Sequence, residues 1–218
     1  MTALDLLTNP DAFFRERADD PSLVGPAVVV VLVAVVGIAG SVPVLRTTMA
    51  AMPDEAAPFL PILLATTAVG GVTAVLFAWA LYAVAFHLVS AVAYGADGSF
   101  KTTLALTGWG FVPRIPEGVL AAALTYLVFT GVVLPADPTQ TAVIVGELRN
   151  DPLLRLTQVL SVVFLLWSAM LWTFAVRHGR ALSLRQAAVT VAVPVGLRLG
   201  LFVLGQLGVF AGLLGLGS

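Results

Sequence analysis

The sequence predicts an all-α protein, a polytopic transmembrane helical bundle of five spans with proline-broken entry helices on the cytoplasmic side. Three observations predict it. The 218 residues are 59% hydrophobic and only 11% charged, where soluble domains carry about 25% charge. Mean hydropathy is +1.01, and several apolar runs reach the roughly 18 residues that a membrane helix needs. Prolines then cut those runs where they become too long for one straight helix. A soluble domain of this size has too little polar side chain here to cover its surface.

Residues 1–23 are the longest polar stretch and carry five acids against two arginines. A signal peptide needs a basic start before its apolar core, so the first apolar run is expected to be retained. Within 1–23, Pro10 and Asp11 can open a short helix bearing Phe13 and Phe14. That segment reads either as a solvated tail or as a helix laid on the bilayer by its two phenylalanines. Residues 24–218 then form the five-span domain.

The first span is expected at 24–45, a length that fits a hydrocarbon core of roughly 30 Å. The second run, 59–94, would reach roughly 54 Å as one helix, so it must tilt, protrude or break at Gly70-Gly71; its span is placed at 62–88. The third run, 100–134, contains the stretch GWGFVPRIPEGVL. Pro113 removes a donor and restrains the residue before it, and Pro116 repeats this three residues later. The reading is a short helix over 100–112, irregular chain over 113–115 and a third span over 116–134. Pro116 then takes the first helical position, with Glu117 at the positive end of the helix dipole. A polar loop over 135–153 leads to the fourth span at 154–176. The fifth, at 187–214, is expected to break or bend at Pro194.

Lysine and arginine near the span ends set orientation. Seven (Arg15, Arg17, Lys101, Arg114, Arg177, Arg180, Arg185) fall on the side of the N-terminus and three (Arg46, Arg149, Arg155) on the other. The expected location is the plasma (cytoplasmic) membrane, with the N-terminus inside and the C-terminus outside. Ten arginines to one lysine point to a GC-rich prokaryotic genome.

Two connections on the cytoplasmic side resemble each other. GADGSFKTTLALTGWGFVP and HGRALSLRQAAVTVAVPVG each place Ser, an apolar residue and a base before a small-residue run and a proline. Each follows a span rich in tryptophan that ends near a histidine. A parallel repeat of two helical hairpins would give this pattern; so would serine caps and positive-inside charge acting separately. Taken with Pro10, Phe13 and Phe14, the Gly-Ser-Phe-Lys to GWGFVP stretch and Ser-Leu-Arg-x-Ala at 183–187, the chain resembles the Yip domain family, membrane proteins first known for binding Ypt/Rab GTPases. The resemblance implies five spans and a non-catalytic role in organising membranes. The GTPase-partner role is not carried over, because that role belongs to members with a larger N-terminal cytoplasmic region.

Charge inside a span costs about 2.5–3.5 kcal/mol on insertion scales and so points to function. Arg198 is the clearest case. At 100° per residue it shares a face about 80° wide with Pro194, Gly205, Gly208 and Gly212. Gly196–Gly200 and Gly208–Gly212 are GxxxG spacings that let helices approach closely. Arg198 is therefore expected to face protein, in a structural ion pair with Glu117 as candidate partner, snorkelling to the headgroups, or at an anion or lipid-headgroup contact in a cavity. Arg114 lies three residues before Glu117 and doubles as a positive-inside anchor. His87 reads as an interfacial or hydrogen-bonded histidine. Arg177, Arg180 and Arg185 are candidate contacts to anionic lipid headgroups.

No nucleophile–base set, zinc motif or nucleotide fingerprint occurs. With no cysteine and two distant histidines, no metal or cofactor is expected. A net charge of −1 offers nothing to nucleic acid. The expected function is that of a non-catalytic scaffold or organiser, with membrane lipids and other membrane proteins as partners and self-association through Gly196, Gly200, Gly208 and Gly212. The alternatives are a small permease using the broken helices and Arg198, or an accessory subunit of a membrane complex.

Overall fold

The computed structural model describes residues 5–52, 58–135 and 137–206, and leaves the side chains of 138, 142 and 149 undescribed. All regular structure among the described residues is helical. In chain order the helices are α1 (Asp5–Thr8), α2 (Pro10–Asp19), α3 (Val24–Ala50), α4 (Leu60–Tyr94), α5 (Phe100–Trp109), α6 (Arg114–Phe129), α7 (Pro138–Arg149), α8 (Pro152–Gly179) and α9 (Leu184–Gln206). Four of them, α3, α4, α8 and α9, are long and apolar enough to cross a membrane. The pair α5 and α6 makes a fifth when counted as one broken span.

The chain forms two compact units. The first comprises residues 1–22, 81–110 and 169–218; the second comprises 23–80 and 111–168. In the first unit the core is aromatic. Trp172, Phe13, Phe14 and Phe86 are fully buried with Leu6, Leu106 and Leu171. In the second, α3 and α6 run side by side in parallel. A Cβ on Gly118 would lie 2.7 Å from Val36, and one on Gly40 would lie 3.3 Å from Ala122, one turn further along both helices. Exposed valines and leucines cover the outer faces of α3, α4 and α9, as lipid-facing helices require.

Several expectations need correction. Of the three alternatives for the second run, tilt, protrusion or a break at Gly70-Gly71, the break is the one ruled out: α4 is continuous there, and Gly71 admits the side chain of Ile38 from α3. The break in the third run falls at 110–113, earlier than expected. Gly110 closes α5, Pro113 caps α6, and Arg114 is already helical. Pro116 is the third residue of α6 rather than the first, still among the four whose N–H has no partner within the helix. Helix α9 is unbroken at Pro194, and α3 likewise contains Pro43; membrane helices accommodate such residues. The 135–153 loop holds a whole helix, α7, capped by Asp137 accepting from Thr139 N at 2.8 Å and opened by Pro138. That Asp-Pro pair is the start signal that could have revealed it. Gly208 and Gly212 lie outside the described residues.

Candidate functional site

In the first unit, two turns are tied together by one arginine. Helix α4 ends with Gly95 in the left-handed region (φ +60), and Ala96 N bonds back to Ser90 O. This cap hands the chain to Gly98 (φ +119) and then to Ser99, whose hydroxyl caps α5 by accepting from Thr102 N at 3.0 Å. The turn after α8 carries Ala181 at φ +50, where a side chain is strained. Next, Ser183 and Gln186 cap α9 reciprocally. Both resembling connections thus open their second helix with a serine cap.

Arg180 leaves the second turn and reaches the first. It is only 2% exposed. Its Nε donates to Ser90 Oγ at 2.9 Å, Nη1 to Gly98 O at 2.6 Å and Nη2 to Ala96 O at 2.5 Å. Burial lowers its pKa from the ordinary value, with Asp97 opposing that effect. The turns meet closely: a Cβ on Gly98 would lie 2.6 Å from Gly179 O. Arg180 is therefore a clamp between two turns rather than a headgroup contact. Its planar fork suits this task, since three donors converge on three fixed acceptors.

Two further expectations change in the same unit. Phe13 and Phe14 are fully buried, and Phe13 meets Trp109 edge-on at 5.2 Å. Arg17 lies 3.6 Å over the Phe13 ring. The N-terminal helix therefore turns its phenylalanines into protein, away from solvent and bilayer. Arg177, expected on a headgroup, donates to Asp11 at 2.7 Å, and His178 Nε2 joins the same carboxylate oxygen at 2.8 Å. Arg185 is exposed. His87 contacts Thr103 Oγ1 at 3.3 Å, the hydrogen-bonded histidine of the sequence reading.

This latch should respond to acid. The hydrogen bond from His178 and the nearby charges of His178, Arg177 and Arg15 hold the Asp11 carboxyl below its ordinary 3.8, partly opposed by desolvation. A carboxyl lowered by folding adds stability that is present above the unfolded value and lost as pH falls through the folded one. We expect α2 to stay docked at neutral pH and to loosen only below about pH 4. Asp11→Asn should show the looser state already at neutral pH. Hydrogen exchange of α2 amides, corrected for intrinsic rate, checks this; equal protection in the two proteins would refute it.

Arg198 donates to Tyr82 Oη at 3.3 Å. Tyr82 in turn stacks on Trp172 at 4.4 Å between ring centroids. The partner found for Arg198 is thus a tyrosine and not the expected Glu117.

Glu117 belongs to the second unit. It is 8% exposed, accepts from Ser161 Oγ of α8 at 2.5 Å, and sits 3.7 Å from Arg114 Nε. Both charges line a cleft of about 290 Å³ between α3, α4 and α6. The lining holds Val33 and Gly37 of α3, and Ala74 and Ala78 of α4, near the middle of either helix. The break before α6 therefore places a carboxylate and a guanidinium well inside the span. Ser168, two turns along α8 from Ser161, is fully buried and its hydroxyl has no hydrogen-bond partner.

Among the described residues no group of three or more His, Cys, Asp or Glu could hold a metal. A family model, the Yip1 domain, matches residues 4–205. The chain belongs to the Yip1 domain family. An uncharacterized protein of Methanocaldococcus jannaschii is 30% identical over 131 residues, covering 58% of this chain and 89% of that protein. No solved structure matches the chain at a significant level. The Yip1 match takes in every cluster described above, from Asp11 to Arg198. The protein is therefore a Yip1-domain membrane protein with multiple helical spans.

Neither the Ser161–Glu117 pair nor Ser90 under Arg180 was legible beforehand. Ser161 lies 44 residues from Glu117, and Ser90 lies 90 from Arg180. No local spacing connects either pair.

Proposed function

We propose that this Yip1-domain protein is a non-catalytic organiser of the cytoplasmic membrane, recruiting lipids and other membrane proteins through its two clamped turns. The observation that carries this reading is the Arg180 clamp. A guanidinium with three hydrogen bonds holds two helix entries in fixed register, and those entries display the exposed cations Lys101 and Arg185. Preformed surfaces lose less entropy on binding than floppy ones. Positive-inside counting puts both turns in the cytoplasm. Gly196 and Gly200 of α9 are exposed, and a Cβ on either would meet nothing within 4 Å, which leaves that GxxxG face open to a second copy or another membrane helix.

The test is site-specific photo-crosslinking in native membranes from Lys101 and Arg185, with Arg155 as the control on the opposite side. Discrete protein adducts at the first two positions, absent at Arg155 and lost when Arg180 is replaced, support the organiser. Identical patterns at all three positions would overturn it. The cleft at the broken third span favours a permease as the second reading, because transporters place binding sites at interrupted helices. Solute flux in proteoliposomes that is abolished by Glu117→Gln would decide for it.

A further inference from the structure

We propose that α9 docks a transmembrane helix of a different membrane protein, which pairs a carboxylate with Arg198 inside the bilayer. This rests on the organiser reading and deepens it, naming one kind of partner and the residue that selects it.

Arg198 is a charge that the chain itself leaves open. Its guanidinium carries five donors. Its one hydrogen bond among the described residues goes to the neutral hydroxyl of Tyr82, at a long 3.3 Å. Among the described residues no carboxylate comes within ion-pair distance of it. Arginine in hydrocarbon is costly, and membrane proteins ordinarily pair it with an opposite charge or with backbone carbonyls. Glu117 has such a partner in Arg114; Arg198 has a phenol.

Depth excludes a lipid phosphate as the missing charge. Arg185 and Gln186 keep the start of α9 polar, so hydrocarbon begins near Ala187. Arg198 is eleven residues further on, roughly 16 Å, which is the middle of a core of roughly 30 Å. Tyr82 gives a similar level from α4. It stands twelve residues before the end of that helix at Tyr94, roughly 18 Å. A guanidinium held at Tyr82 Oη is remote from the phosphates of either leaflet.

The surroundings favour a helix over a dissolved anion. On the Arg198 face, Val191 and Val195 are buried toward the start of α9, while Leu201 and Gly205 are exposed beyond it. All four lie within about 60° of Arg198. Leu197, Val203 and Leu204 are exposed as well. Arg198, itself partly exposed, marks where α9 passes from covered to bare. A solute anion needs a wet path, and these neighbours are apolar. A carboxylate carried on an apolar helix arrives through hydrocarbon and covers the leucines when it does.

A second copy of this chain does not fit. Among α3, α4, α6, α8 and α9 the only acid is Glu117, which is buried and already bound to Ser161 and Arg114. A second copy approaching through the same face would also bring a second Arg198, and like charges repel strongly at low dielectric. The partner is therefore a different chain, marked by an acidic residue near the middle of an apolar span.

The test places a photo-crosslinking residue at Leu201 and reconstitutes the protein in phosphatidylcholine vesicles. The probes are dilute synthetic leucine–alanine helices of about 20 residues with Glu, Gln or Leu at the centre. The Glu helix should give roughly tenfold more adduct than the Leu helix, and more than the Gln helix. Arg198→Lys should keep that preference, since the charge remains. Arg198→Leu should bring the Glu helix down to the Leu level, with an unchanged thermal midpoint in detergent to show that the variant is folded. Tyr82→Phe removes the hydrogen bond but not the charge and should keep the preference. Equal yields from the three helices, or a Glu preference that survives in Arg198→Leu, would overturn the proposal. So would labelling of Leu201→Cys by a membrane-impermeant thiol reagent, which would mean that water and a dissolved anion reach the site; the chain has no native cysteine to interfere. Failure here with discrete adducts still forming at Lys101 and Arg185 would sink the carboxylate partner and spare the organiser.

Discussion

Replacing Gly110 with alanine is expected to destabilise the protein by about 3 kcal/mol or more, because a single methyl has nowhere to go. A Cβ at this position would lie 2.2 Å from both Cδ1 and Nε1 of Trp172, far inside van der Waals contact. The indole cannot retreat cheaply. It is fully buried, stacked on Tyr82 and packed on Phe86, and its Nε1 donates to Thr107 O at 2.9 Å. Glycine is thus required for close approach, not for backbone conformation: Gly110 has φ −69, open to any residue. Shrinking the partner should relieve the clash. Gly110→Ala should cost distinctly less in a Trp172→Leu background than in the wild type, so the two changes should be non-additive. Thermal midpoints in detergent for the four proteins test this. Additive losses would mean that the indole is not what excludes the methyl.

That pairing shows where sequence reasoning ends. Periodicity, run length and proline placement were enough for the helical class and for the broken third span, because each depends on residues close together in the chain. The serine caps at Ser99 and Ser183 were legible for the same reason. Neither the second glycine of GWG, Gly110, nor the glycine of HGR, Gly179, gave any sign of what lies over it. Gly110 and Trp172 are 62 positions apart, and only the packed unit brings them together. The arginines mislead in a related way. Near a span end, Arg177, Arg180 and Arg185 look alike, and a counting rule treats them alike. In the fold, one is exposed, one is bound to Asp11 and one is buried. The N-terminal phenylalanines looked membrane-seeking because their cover, Trp109, is supplied from about a hundred residues away. Arg198 misled through an assumption: an intramembrane cation was matched to the available carboxylate, but the hydroxyl of Tyr82 holds it. Helix α7 was missed for a different reason. Its composition is polar, and polarity was allowed to outweigh the Asp137-Pro138 start signal.

The second large effect is expected at Arg180. Arg180→Met keeps the stem but strips all three donors from a buried site. It should destabilise the first unit by about 3 kcal/mol, since hydrogen bonds from a charged group contribute about 1.5–3 kcal/mol each and hydration of the freed turns recovers part of the loss. Arg180→Lys should restore little. Charge is not what the site needs; it needs three donors at fixed angles, reaching Ser90 Oγ, Ala96 O and Gly98 O together, and an ammonium on a flexible stem does not span them. Ser90→Ala removes one acceptor of the three and should cost about 1 kcal/mol. Unfolding midpoints give the ranking Met ≈ Lys > Ser90→Ala. Hydrogen exchange at residues 95–99 and 180–183 should rise in the two arginine variants and hardly at all elsewhere. If lysine proves nearly as good as arginine, the clamp is an electrostatic anchor and the fixed register of the two turns has another source. If the ranking holds, the two turns form one mechanical piece. Ala181 then carries its left-handed strain because Arg180 beside it is bonded, and the register of Lys101 with Arg185 is set by a side chain that touches neither.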